Sequence, residues 1–141
     1  MTLFKLGDIT RKVALRKGWD DSYAADVERE YLRFIRLHTS NPGVPVSPSD
    51  DIDEVWHEHI LNTRAYTEFC AKEFGGYMHH DPVGLGEELH DLSPTLELYK
   101  STYGEDAPER IWLGDAACRG RCHLKCEIKA GQCGGKCNVK A

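Results

Sequence analysis

A chain of 141 residues, 40% hydrophobic and 29% charged, has the composition of one folded domain with an appendage and not of a disordered segment. Its formal net charge of −5 hides two unlike parts: residues 113–141 hold six Lys and Arg against two acids, and the rest holds 12 against 21. An acidic body excludes nonspecific nucleic-acid binding through that body. No apolar run reaches the ~18 residues of a membrane helix, so no membrane is expected among the partners.

The opening Met1-Thr2-Leu3-Phe4-Lys5-Leu6-Gly7-Asp8 lacks the basic segment and long apolar core of a secretory signal. A reducing, cytoplasmic compartment is therefore expected, where thiols and thiolate–metal bonds are favoured over disulfides.

Five helical segments are predicted. The first runs from Asp8, its N-cap, to Lys17, with Ile9, Val13 and Leu15 as apolar positions and Gly18 as its stop. The second spans Ser22 to His38, where Tyr23, Val27, Tyr31, Phe34 and Ile35 recur at three- and four-residue intervals and so share a face. Pro42, Gly43 and Pro45 then forbid further helix.

Ser47-Pro48-Ser49-Asp50 offers a cap, a proline at the first helical position and an acid. From it a long central helix is predicted over 48–74, ended by Gly75-Gly76. Its buried stripe is Ile52, Val55, Trp56, Thr63, Tyr66, Cys70 and Phe74. A loop rich in His, Pro and Gly follows, then helix from Ser93-Pro94 to Gly104 and a short turn through Trp112. Strand-period alternation and long repeats are missing. The expected fold is all-α: a compact helical domain over 1–112, built round the central helix with all three tryptophans in its core, and a basic Cys-rich tail over 113–141.

The densest chemistry lies in Asp53-Glu54-Val55-Trp56-His57-Glu58-His59, followed by His79-His80-Asp81-Pro82. Asp53 and His57 are four apart and so stand one helical turn above each other. His59 is rotated by about 200° from His57, into the apolar stripe, so these two histidines do not chelate one ion from a regular helix. The pattern is also not the zinc-protease signature, whose histidines are four apart. His79 and His80 lie on a loop that can turn back toward the helix. Asp53, His57 and His80 thus make a candidate metal site of two histidines and a carboxylate, a set used by zinc and non-haem iron alike. His79 and His59 are the further candidate ligands, and the competing reading is a hydrogen-bonded structural cluster. Cys70, in the stripe, is expected to be a buried thiol.

The run Asp53-x-x-Trp56-His57-x-His59-Ile60-Leu61-x-Thr63-x-x-Tyr66-x-x-Phe69-Cys70, with Gly75, His79-His80-x-Pro82 and the later Leu98-Tyr99, Tyr103-Gly104-Glu105, Pro108 and Ile111-Trp112, resembles the glycine-rich domain-containing protein-like family over about residues 22–112. In plants such domains precede glycine-rich tails, in proteins linked to development and stress and proposed to bind RNA. The resemblance implies signature roles for Asp53, Trp56, His57, His59 and His80. It implies no reaction.

The tail places Cys118, Cys122, Cys126, Cys133 and Cys137 within twenty residues, the first three at helical four-residue spacing. This matches neither a zinc ribbon nor a ferredoxin. Soft thiolates favour Cu(I), zinc or an iron–sulfur centre, and Arg119, Arg121, Lys125 and Lys136 favour the thiolate form. Pairing of Cys118 with Cys137 and Cys122 with Cys133 is the alternative in an oxidising compartment.

The leading functional expectation is a metal-binding helical protein, with zinc or iron in the core site and a thiolate-rich tail for metal or a partner. One alternative is a non-haem metalloenzyme using the same two histidines and carboxylate. Another is an interaction module whose basic tail meets RNA or an acidic protein.

Overall fold

Glycines in left-handed backbone conformation end three of the helices: Gly18, Gly75 and Gly104 have φ of 76°, 74° and 76°, and each amide closes onto a carbonyl four residues back. The computed structural model describes residues 5–80 and 92–114. The chain divides into two units, Met1–Glu105 and Asp106–Ala141. The first holds α1 (Leu6–Lys17), α2 (Asp21–Ser40), α3 (Asp50–Leu61), α4 (Thr63–Phe74) and α5 (Ser93–Tyr103). The second holds the four-residue α6 (Glu109–Trp112), in which Ile111 and Trp112 are buried. The fold is all-α, with no strand among the described residues.

Two of the predicted caps move. Asp8 is the third residue of α1, not its cap, and its carboxylate reaches back to accept from the Lys5 amide at 3.1 Å. Ser49, not Ser47, caps α3 by accepting from the Ile52 amide; the Ser47 amide instead donates to Thr95 Oγ1 at 2.8 Å. Ile9 and Val13 are buried, but Leu15 is 75% exposed, because two residues along a helix is about 200° away from Val13. Of the three tryptophans, Trp56 and Trp112 are buried, whereas Trp19 is half-buried and lies edge-on to Tyr23.

The predicted continuous helix over 48–74 is two helices, α3 and α4, broken at Asn62. Asn62 has ψ of 73°, outside the helical region. Its side-chain amide donates to the Glu58 carbonyl at 2.7 Å and to Glu58 Oε2 at 3.2 Å. A short amide side chain competing for helix carbonyls is a known helix-ending device. The Asn62 carbonyl then accepts from the Tyr66 amide and starts α4. Thr63, placed in the stripe by a straight helix, is exposed as a result, and Phe74 is only half-buried.

Helix α3 is the centre of the first unit, packing against α1, α2 and α4, while α2 also meets α1 and α5. Ile52, Val55 and Trp56 from α3 and Val27, Tyr31 and Phe34 from α2 are at most 3% exposed. Each such side chain contributes about 1.5–3 kcal/mol relative to an exposed one. Buried acids are paired, as burial of charge requires. Glu30 Oε1 accepts from Tyr99 Oη at 2.8 Å. Glu58 meets Lys12 at 3.0 Å and Arg16 at 3.3 Å, joining α3 to α1. Among the described residues no helix is long and apolar enough to cross a membrane.

Candidate metal centre

The i,i+4 relation on α3 sets Asp53 Oδ2 3.3 Å from His57 Nε2. His80 arrives from the segment after α4, with its Nε2 2.8 Å from Asp53 Oδ1 and 2.9 Å from His57 Nε2. One ligand atom from each of the three residues thus lies within 4.8 Å of the other two. The cluster grades outward: the His80, Asp53 and His57 side chains are 16%, 31% and 54% exposed.

Trp56 supplies the floor. Its ring is stacked under the His80 imidazole, with centroids 4.1 Å apart and planes 12° apart. The His57 and His80 rings are themselves within 24° of parallel, and their Nε2 atoms are 2.9 Å apart. Two facing imidazole nitrogens hydrogen-bond only when one of them carries a proton. With neither protonated, both offer a lone pair beside a carboxylate, the donor set that a borderline cation takes.

Of the five sequence candidates, the structure brings Asp53, His57 and His80 together. His79 is exposed and lies edge-on to Tyr77, so it is not in the cluster. His59 is 2% exposed, and its Nδ1 shares a 2.7 Å hydrogen bond with Tyr31 Oη. Burial pushes its pKa down to about 4, which keeps the ring neutral. His38, which reads as a surface residue in sequence, leans its ring against Phe34 and Trp56. Cys70 is a free, buried thiol. Cys118, Cys122, Cys126, Cys133 and Cys137 lie outside the described residues, as do Asp81 and Pro82.

Sequence reasoning missed one participant. Tyr66 Oη accepts from Trp56 Nε1 at 3.0 Å and donates to the Met78 carbonyl. Ten residues along one straight helix would separate Trp56 and Tyr66 by ~15 Å. The break at Asn62 is what lets them meet, and its only sequence signal is an asparagine inside an otherwise helical pattern.

A family model described as UCP032817-like matches residues 7–95. That match overturns the resemblance to the glycine-rich domain-containing protein-like family: the aromatic and histidine pattern that suggested it belongs to a different family. No curated protein and no solved structure matches the chain.

Proposed function

The chain belongs to the UCP032817-like family, whose description names no activity, and we propose that it is a metal-binding helical protein in which Asp53, His57 and His80 hold one divalent ion, zinc or iron. The observation that carries this reading is the approach of the two imidazole Nε2 atoms, 2.9 Å apart, to the two oxygens of one carboxylate: Asp53 Oδ1 is 2.8 Å from His80 and Oδ2 is 3.3 Å from His57. Donors ~2.1 Å from one ion lie ~3.0 Å apart at right angles and ~3.4 Å apart at the tetrahedral angle. The residues present fit such an ion in both donor type and spacing. Asp50 and Asp51 in the first turn of α3 add negative potential that favours a cation.

Elemental analysis of protein purified without added metal tests the proposal. About one equivalent of zinc or iron per chain, retained when the tail cysteines are changed to serine and lost in His57→Ala, supports it. Equal metal in His57→Ala, His80→Ala and the parent chain removes the core site.

A second reading is favoured by the exposure of His57 and Asp53. Three protein ligands on an open rim leave coordination positions for water or a small substrate, the arrangement of a non-haem metalloenzyme. An ion there would act as a Lewis acid or redox centre, while Asp53, His57 and His80 bind and orient it. Nitric oxide or azide perturbing the spectrum of the iron-loaded protein distinguishes an open site from a closed structural one. For the tail, the proposal of thiolate-bound Cu(I), zinc or iron–sulfur, or of an RNA or acidic protein partner, rests on its sequence alone. A cytoplasmic setting belongs to the same reading, and the free thiol of Cys70 is in keeping with it.

A further inference from the structure

His80 stands in a segment without regular secondary structure that begins where α4 ends at Gly75. Among the described residues, the backbone anchor of that segment is the Met78 carbonyl, which accepts from Tyr66 Oη. The same hydroxyl accepts from Trp56 Nε1 at 3.0 Å, and the Trp56 ring is the surface on which His80 stacks. Two supports of His80, the ring beneath it and the backbone two residues before it, therefore meet at one phenolic oxygen. Tyr66 is fully buried, and burial pushes its pKa well up, so the group is a neutral hydroxyl. A hydroxyl can accept one bond and donate another at once, and this one does both. The ring of Tyr77 also sits edge-on to Tyr66, with centroids 5.3 Å apart.

We propose that Tyr66 is the positioning residue of the candidate metal centre, its hydroxyl setting His80 against Trp56 so that the imidazole reaches Asp53 and His57. The consequence for metal affinity rests on the metal reading given above; the placement of His80 does not. A phenylalanine at 66 keeps the buried ring and removes only the oxygen that joins the two supports. The Met78 carbonyl then loses its donor, the indole N–H loses its acceptor, and only the contacts with Asp53 and His57 still hold the His80 ring, too few to fix it on the Trp56 face.

The experiment compares the full-length parent, Tyr66→Phe and Tyr31→Phe. The Tyr31 variant removes a buried tyrosine hydroxyl bond to His59 but leaves the Tyr66 junction intact, so it reports what a structural loss alone does. Two readouts are taken: Co²⁺ affinity followed by its visible spectrum, and, in metal-free protein, the upfield NMR shift that the Trp56 ring imposes on the His80 ring protons. Tyr66→Phe is expected to bind Co²⁺ about 10–100-fold more weakly, the usual loss for an outer-shell partner, and to lose the upfield shift. Tyr31→Phe is expected to keep both within about twofold of the parent. Retention of the upfield shift in Tyr66→Phe, or equal losses in the two variants, overturns the inference. A parent that binds no Co²⁺ but shows the shift, lost only in Tyr66→Phe, ends the metal reading and leaves the positioning role standing.

Discussion

His57 Nε2 and His80 Nε2 lie 2.9 Å apart although they come from α3 and from the segment beyond α4. Neither ring reaches the other through local sequence. Asp53 completes the group from one turn below His57, touching both rings.

The first prediction follows from that triangle. His57→Ala and His80→Ala each remove a donor, and metal affinity should fall by more than the ~10–100-fold typical of an outer partner. His79→Ala is the control, since His79 faces Tyr77 instead, and it should bind like the parent. Isothermal titration with Zn²⁺ checks this. Binding should also weaken in acid for the parent, because a ligating imidazole must give up its proton. A His79 variant as weak as the other two would refute the assignment of ligands.

Trp56 tests the core and the site together. It is 3% exposed, stacks under His80 and packs edge-on against Phe34 at 5.0 Å. Trp56→Ala should cost ~3–5 kcal/mol, as large-to-small core changes do, measured by urea unfolding. A cost under ~1 kcal/mol would mean that the neighbours do not depend on the indole.

His59 makes stability depend on pH. Its folded pKa of about 4 lies below the ordinary histidine value of about 6.5. Between those values the unfolded chain binds the extra proton and the folded one does not, so stability, the free energy of unfolding, rises with pH across that window. Its contribution is complete above pH ~6.5 and is lost as pH falls toward ~4, about 3 kcal/mol in all. Urea titrations in chelator, which take the metal out of the comparison, should show this slope in the parent and a flatter one in His59→Gln. Identical slopes would mean that His59 does not titrate as a buried neutral ring.

Asn62 tests the break between α3 and α4. Asn62→Ala removes two hydrogen bonds to Glu58 and favours helix through the junction. Straightening would part Trp56 from Tyr66, so the variant should lose about 1–2 kcal/mol with little change in far-ultraviolet circular dichroism. A stabilised variant would show that the break is not needed by the core.

Glu58 carries the matching charge test on the other face of α3. Burial alone would raise its pKa, but bonds from Lys12, Arg16 and Asn62 bring it below the ordinary glutamate value. A depressed carboxylate stabilises above its unfolded pKa of about 4.5 and loses that contribution as pH falls through the folded value. Lys12→Met should therefore lessen the acid sensitivity of the parent, read as melting temperature between pH 5 and pH ~3.

Much of this protein is local and could be read from sequence. Gly18, Gly75 and Gly104 end helices because their left-handed backbone is open to glycine at little steric cost. Asp53 and His57 share a face because four residues make nearly one helical turn. His59 turns inward because it stands two residues from the outward His57. Other features depended on atoms far apart in the chain. His79 and His80 both lie on the loop after the helix and the sequence favours His80 without showing what holds it; the structure shows its ring stacked on Trp56. An asparagine within a helical pattern is tolerated or not according to what its break allows, here the bond from Trp56 to Tyr66. Helix periodicity fixes which residues face one another within a turn; only the packed structure decides which side chain supports a residue on the next helix or loop.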